Sequence, residues 1–183
     1  MSKSLIKLID AALVPAAVMI CGKVVGLAIT NAIFNLSWNI ESDPNNFFSV
    51  KIVYNTIHDQ MIAASYSNLI MFIAIFIGFL FVLFRALFLH SSHITPRMIA
   101  RLATNNLLDL IQDSFEIYHN ASVWLISTWI ALFAIISNVL LGKAYNWTAV
   151  LSLAIALIAT TALLRDVSHE IKIAKKHINK HII

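Results

Sequence analysis

The sequence predicts an all-α integral membrane protein with four transmembrane helices. A cytoplasmic amphipathic helix is expected between the second and third spans, and a basic amphipathic helix at the C-terminus. Three observations carry this expectation. Of the 183 residues, 60% are hydrophobic and only 12% charged, whereas soluble domains carry about 25% charged residues, so the chain has too few charges to coat a water-facing surface. Four runs approach the roughly 20 apolar residues needed to cross about 30 Å of hydrocarbon. Lys and Arg, finally, collect in the segments that would lie on one side of those spans. The same composition excludes disorder and a collagen-like chain, and the single cysteine, Cys21, excludes an internal disulfide scaffold.

The chain reads as one four-helix domain covering residues 1–183, with spans at about 11–34, 64–89, 121–141 and 148–165. The first span is interrupted by Lys23. Lys3 and Lys7 stand ahead of it as in a signal peptide. Asp10, however, occupies the place where an apolar core should begin, and Ile20 is too bulky for the residue before a processed cysteine, so a retained helix is expected. Pro15 should bend that helix near its inner end. The outer loop, 37–60, contains the turn signal Ser42-Asp43-Pro44-Asn45-Asn46. After it, Val50, Ile52 and Tyr54 alternate with Lys51, Val53 and Asn55, which suits a short strand or an interfacial segment equally well. The second span is crowded with Phe72, Phe76, Phe79, Phe81 and Phe84 and is expected to face lipid over much of its surface.

Thr95-Pro96 marks a helix start, with Thr95 as cap and Pro96 in the first turn, where its missing N–H costs nothing. No Gly or Pro interrupts the following residues to Asn120. A cytoplasmic helix over 95–120 is therefore expected, lying at the interface or running into the third span. Leu107, Leu110, Ile111 and Phe115 fall on one side, and Asp109, Asp113 and Glu116 on the other. In the tail, 166–183, Val167, Ile171, Ala174, Ile178 and Ile182 form an apolar stripe beside basic Lys172, Lys176 and Lys180. Such a helix gains about 1 kcal/mol per basic residue on an anionic leaflet. The acidic stripe of the 95–120 helix is an alternative docking surface for it.

Orientation follows from the basic residues, because positively charged loops stay on the cytoplasmic side. With the N-terminus inside, Lys3, Lys7, Arg85, Arg97, Arg101, Arg165, Lys172, Lys175, Lys176 and Lys180 are cytoplasmic, and only Lys51 and Lys143 are outside. Both termini are expected in the cytoplasm of a plasma-type or inner membrane. Trp38, Tyr145 and Trp147 fall at the outer ends of spans, and Tyr118 and Trp124 at the inner end of the third, as interfacial aromatics do. The net charge of +4 follows from this bias, so it gives no reason to expect a nucleic-acid partner.

In lipid, small residues mark the faces along which helices approach closely. Gly22 and Gly26 form such a pair in the first span, with Ala12 and Ala16 one register earlier. Ala149, Ser152, Ala156 and Ala159 form another stripe in the fourth. Lys23 is the one ionisable residue deep in a span, where an ammonium costs about 2.5–3.5 kcal/mol on insertion scales. No carboxylate lies at comparable depth, so the expectations for Lys23 are an anion or proton site, a partner on another subunit, or a stem snorkelling to an interface.

His90, His93, Glu116, His119, Asp166 and His169 gather near one boundary, and Glu-x-x-His is a ligand pattern of di-iron bundles. They sit where water-facing polar residues are expected anyway, so no metal or other cofactor is expected. Phosphate-loop, triad and dithiol patterns are missing as well. The function expected first is a non-enzymatic subunit or interaction component of a membrane assembly, bound to lipid and to itself or another membrane protein. The alternative is a small oligomeric transporter or channel using Lys23, and a boundary metal-dependent oxidase ranks last.

Overall fold

The computed structural model describes residues 3–42, 50–88, 94, 96–105 and 114–181. In chain order these form α1 (Lys3–Phe34), β1 (Trp38–Ser42), β2 (Val50–Tyr54), α2 (Ile57–Phe88), α3 (Pro96–Thr104), α4 (Ser114–Leu140) and α5 (Asn146–His181). Four of the helices contain stretches long and apolar enough to cross a membrane: Ala11–Phe34, Ile57–Phe88, Glu116–Leu140 and Asn146–Lys172.

Successive long helices are antiparallel, as their contacts show in sequence. On α1, Gly26 faces Ser67 and Gly22 faces Met71 of α2, so one number falls as the other rises. Met71, Phe72 and Ile75 share a core cluster with Ala131, Leu132 and Ile135, whereas Phe79 and Leu83 meet Ala121. Trp129 Nε1 donates to Thr160 Oγ1 at 3.1 Å, and Tyr118 Oη donates to Asp166 Oδ2 at 3.0 Å, which sets α4 against α5. Both ends of the chain therefore lie at the end of the bundle that carries α3.

α2 is the central helix. It packs on α1 and α4 and, less extensively, on α5. Phe72, Ile75 and Phe79 are fully buried, which corrects the expectation that this span is turned outward over much of its surface, and Phe81 and Phe84 are exposed on its other side. A helix with three neighbours must bury its large side chains between them, and an all-apolar stretch gives no pattern that reveals which ones. Gly78 lets Trp124 approach so closely that an added Cβ would lie 2.0 Å from the indole. Trp124 is accordingly a packing residue between the two clusters rather than a boundary anchor.

The outer connection is a hairpin, so the chain is not wholly α. β1 and β2 pair antiparallel with Trp38 opposite Tyr54 and Ile40 opposite Ile52. Asn35 leaves α1 with φ 48°, and the Leu36 N–H closes on the Asn31 carbonyl at 3.2 Å, a helix stop that Asn tolerates. Thr56 caps α2 by accepting from the Asp59 N–H at 3.0 Å. The helix thus starts at Ile57, earlier than the expected 64, and the loop is correspondingly shorter. Gly142, at φ 69°, ends α4 in the same way as Asn35 ends α1, with Lys143 N–H on the Asn138 carbonyl.

The single helix expected over 95–120 is corrected. α3 ends at Thr104 with Asn105 in a turn, and residues from Ser114 onward belong to α4. Asn105 donates through its side chain to the Arg101 carbonyl, and its N–H reaches back to Leu102. These are local bonds that compete with continuing the helix. Asp109 and Asp113 lie outside the described residues. α1, by contrast, continues through Pro15, which is fully buried.

The closeness of α1 and α2 gives a direct test. A Cβ at Gly26 would lie 2.8 Å from the Ser67 carbonyl oxygen, backbone against backbone. Gly26→Val should lower stability in detergent by about 1–3 kcal/mol, whereas Ala28→Val, on the exposed side of α1, should be nearly neutral. Equal effects in thermal unfolding would contradict this packing.

Candidate functional site

Lys23 lies mid-span, about 18 Å along α1 from Ala11 and about 16 Å from Phe34 at the helical rise. Its ammonium neither reaches a carboxylate nor snorkels away. Nζ donates to Ser67 Oγ at 2.6 Å and to Asn68 Oδ1 at 2.5 Å, both on α2. Ser67 is fully buried and Asn68 is 2% exposed. Ser67 also donates weakly to the Ala64 carbonyl at 3.4 Å.

The site follows from local sequence. Gly22 and Gly26 flank Lys23 on the face that meets α2, and their missing side chains bring the two backbones close enough for a lysine stem to end on Ser67 and Asn68. Lys23, Leu27 and Asn31 recur every fourth residue and so share one side of α1. One turn further out, Tyr54 Oη of β2 donates to Asn31 Oδ1 at 3.1 Å, which fastens the hairpin over the same stripe. A second tether joins the α4–α5 turn to α2. The Tyr145 N–H donates to fully buried Ser65 Oγ at 2.8 Å, and Tyr145 Oη and His58 Nδ1 lie 3.1 Å apart.

Between these tethers a cavity of about 230 Å³ is lined by Lys23, Tyr54, Gln60, Asn138 and Lys143, with Leu27, Ile52, Ala63 and Ala64 as its apolar walls. Two cationic side chains therefore border one space, and among the described residues no Asp or Glu lines it. Past Lys23 the interior closes on the buried cluster of Met71, Phe72, Ile75, Leu132 and Ile135. The cavity can hold a small polar group from the hairpin side.

The other residues singled out in the sequence fall apart spatially. Gly22 and Gly26 pack on α2, and Ser152 and Ala156 are fully buried in the bundle, so both small-residue faces are occupied within the chain. Ala12 and Ala16 are exposed and do not extend the first face. Glu116 is exposed in the first turn of α4, and Lys172 is exposed on α5. Lys176 and Lys180 lie on α5, and their side chains are outside the described residues. Among the described residues no three His, Cys, Asp or Glu side chains gather as metal ligands. His90 and His93 are outside those residues.

Ser65, Ser67 and Asn68 are the functional residues that sequence reasoning missed. Their signal is a polar cluster, Ser65-Tyr66-Ser67-Asn68, at the start of an apolar run. It reads as the end of a span because the eight preceding helical residues, 57–64, are less apolar.

The fold defines a class, a helical bundle with four helices long and apolar enough to cross a membrane, capped at one end by a β-hairpin. Comparison with protein-family models, characterised proteins and solved structures yields no match.

Burial raises the Tyr54 phenol above its ordinary value, and the hydrogen bond with Asn31 opposes this with a smaller effect. The folded state therefore favours neutral Tyr54. That contribution is complete below the ordinary tyrosine value of about 10 and is lost as pH rises through the higher folded value. Hairpin docking, followed by hydrogen exchange at β2, should weaken above about pH 10. Tyr54→Phe should remove that alkaline transition, and its persistence would contradict the assignment.

Proposed function

We propose that the chain is a non-enzymatic, multi-pass component of a membrane assembly, with both termini in the cytoplasm of a plasma-type or inner membrane. Its cytoplasmic contact with a partner, either a second copy or another membrane protein, runs through the helical extension of α5. The observation that carries this reading is the length of α5, whose 36 residues span about 54 Å against about 30 Å of hydrocarbon. The helix continues without a break from Asp166 to His181, projecting about 24 Å beyond Arg165 at that rise.

A projecting helix must be held by something or be paired with water on every side. Here exposed Ile171 sits beside exposed Lys172, an apolar and a basic neighbour suited to a surface with both characters. At the root of the arm, Asp166 is fixed by the Tyr118 hydroxyl, so the extension leaves the bundle in a defined direction. The antiparallel order of the long helices supports placing both termini together, and the basic residues support the cytoplasmic side. The small-residue faces no longer support self-association, because they are filled internally. The transporter alternative is also weakened, since Phe72, Ile75 and Phe79 fill the bundle below Lys23 within one chain.

A photocrosslinker replacing Ile171 in native membranes should yield protein adducts, of twice the chain's mass for self-association or another mass for a second protein. One replacing Ile158, exposed within the apolar part of α5, should label lipid. Protein adducts absent at residue 171 would overturn the reading.

A further inference from the structure

The geometry points to the hairpin-capped cavity as a binding site for a phosphate group, held between Lys23 and Lys143. An ammonium has three N–H groups, and Lys23 directs two of them to Ser67 and Asn68. Both acceptors are neutral, so its charge is solvated without being cancelled. Asn68 Nδ2, on the amide whose oxygen receives Lys23, is buried with no hydrogen-bond partner among the described residues. A buried amide donor left in that state costs about 1–3 kcal/mol; Asn68 is not among the residues lining the cavity, whose own free donors come from Lys23, Lys143 and Gln60.

Lys143 brings a second positive charge to the same cavity from the α4–α5 turn, and the Gln60 amide adds a neutral donor. Tyr54, which also lines the space, already donates to Asn31. Gln60 and Asn138 also bring carbonyl acceptors, so it is the two positive charges, with no Asp or Glu among the described lining residues, that an oxyanion would balance and a cation would worsen. Two ammonium groups on flexible stems act as point charges, the mode in which lysine binds phosphate. A tetrahedral oxyanion suits two lysines approaching from different elements better than a planar carboxylate suited to a bidentate arginine.

The cavity's placement admits two sources of that chemistry. It runs from Gln60 and Lys143, near the Ile57 end of α2, inward to Lys23; its rim is reachable, if α2 crosses a bilayer, by a lipid headgroup phosphate and, from the aqueous side, by free phosphate. The apolar walls from Leu27 and Ala63 suit the first source, whereas the polar rim suits both.

The test uses the full chain in a neutral mild detergent at fixed ionic strength. Inorganic phosphate is titrated by calorimetry, and retention of phosphatidylglycerol is read by native mass spectrometry. At least one probe should bind. Lys143→Gln, a change on an exposed turn, should weaken that binding roughly tenfold or more, as expected for losing a charged hydrogen-bond partner. Lys23→Gln should weaken it at least as much wherever the variant folds. Binding of inorganic phosphate identifies a soluble ligand, and binding of phosphatidylglycerol alone identifies a headgroup site. Binding of neither probe, or binding of unchanged strength in Lys143→Gln, would overturn the assignment.

Discussion

The contact of the Lys23 ammonium with Ser67 and Asn68 is the constraint around which the outer half of the bundle is arranged. A charge in the middle of an apolar span must be given polar partners, and this chain supplies them from the facing helix. That requirement dictates the approach of α1 to α2, and the approach dictates glycine at positions 22 and 26, where any side chain would meet the backbone of Met71 or Ser67. The energetic cost of the ammonium is offset locally, so the residue that would weaken an isolated helix fastens α1 to the bundle. α1 exposes much of its remaining surface, from Leu13 and Val14 to Ile33, and packs chiefly on α2.

From that clamp outward the tethers follow in order. Asn31 holds Tyr54 and with it the hairpin, while Ser65 holds Tyr145 and with it the turn after α4. Both join loop to helix through buried or half-buried hydrogen bonds, each worth about 1 kcal/mol net. From the clamp inward, cohesion changes character. Gly78 admits Trp124, and Phe72, Ile75 and Phe79 fill the centre, so packing takes over from hydrogen bonding. One end of the bundle is thus polar and holds a cavity, and the middle is apolar and closed.

Much of the fold was legible in the sequence because the features that define it are local. Four apolar runs and a helix start at Pro96 each follow from the chemistry of neighbouring residues, whereas the Val50–Tyr54 alternation left a strand and an interfacial segment equally open. The hairpin partner was missed because Trp38–Ser42 carries mixed polarity and is short, and its strand pairing depends on residues 8 to 16 positions away. The break after Thr104 was missed because no Gly or Pro marks it; Asn105 ends α3 by bonding to its own backbone, a weaker punctuation. Lys23 was recognisable as a site from depth alone, and Gly22 and Gly26 as a packing face. Their partners were not, because helix-to-helix register is a property of two distant segments and the apolar composition of α2 carries no periodicity from which to read it. The cavity was beyond sequence reasoning for the same reason, since its lining comes from four separate elements.

The central claim, that Lys23 and Asn68 form a coupled polar clamp inside the bundle, is tested most directly by a double-mutant cycle on unfolding in detergent. Asn68→Leu alone leaves the Lys23 ammonium with only Ser67 of its two partners and Lys23→Met alone strands a buried amide, whereas the double variant removes both needs at once. The account predicts a coupling of about 1–3 kcal/mol, with the double variant more stable than Asn68→Leu. Strict additivity of the two substitutions would contradict it.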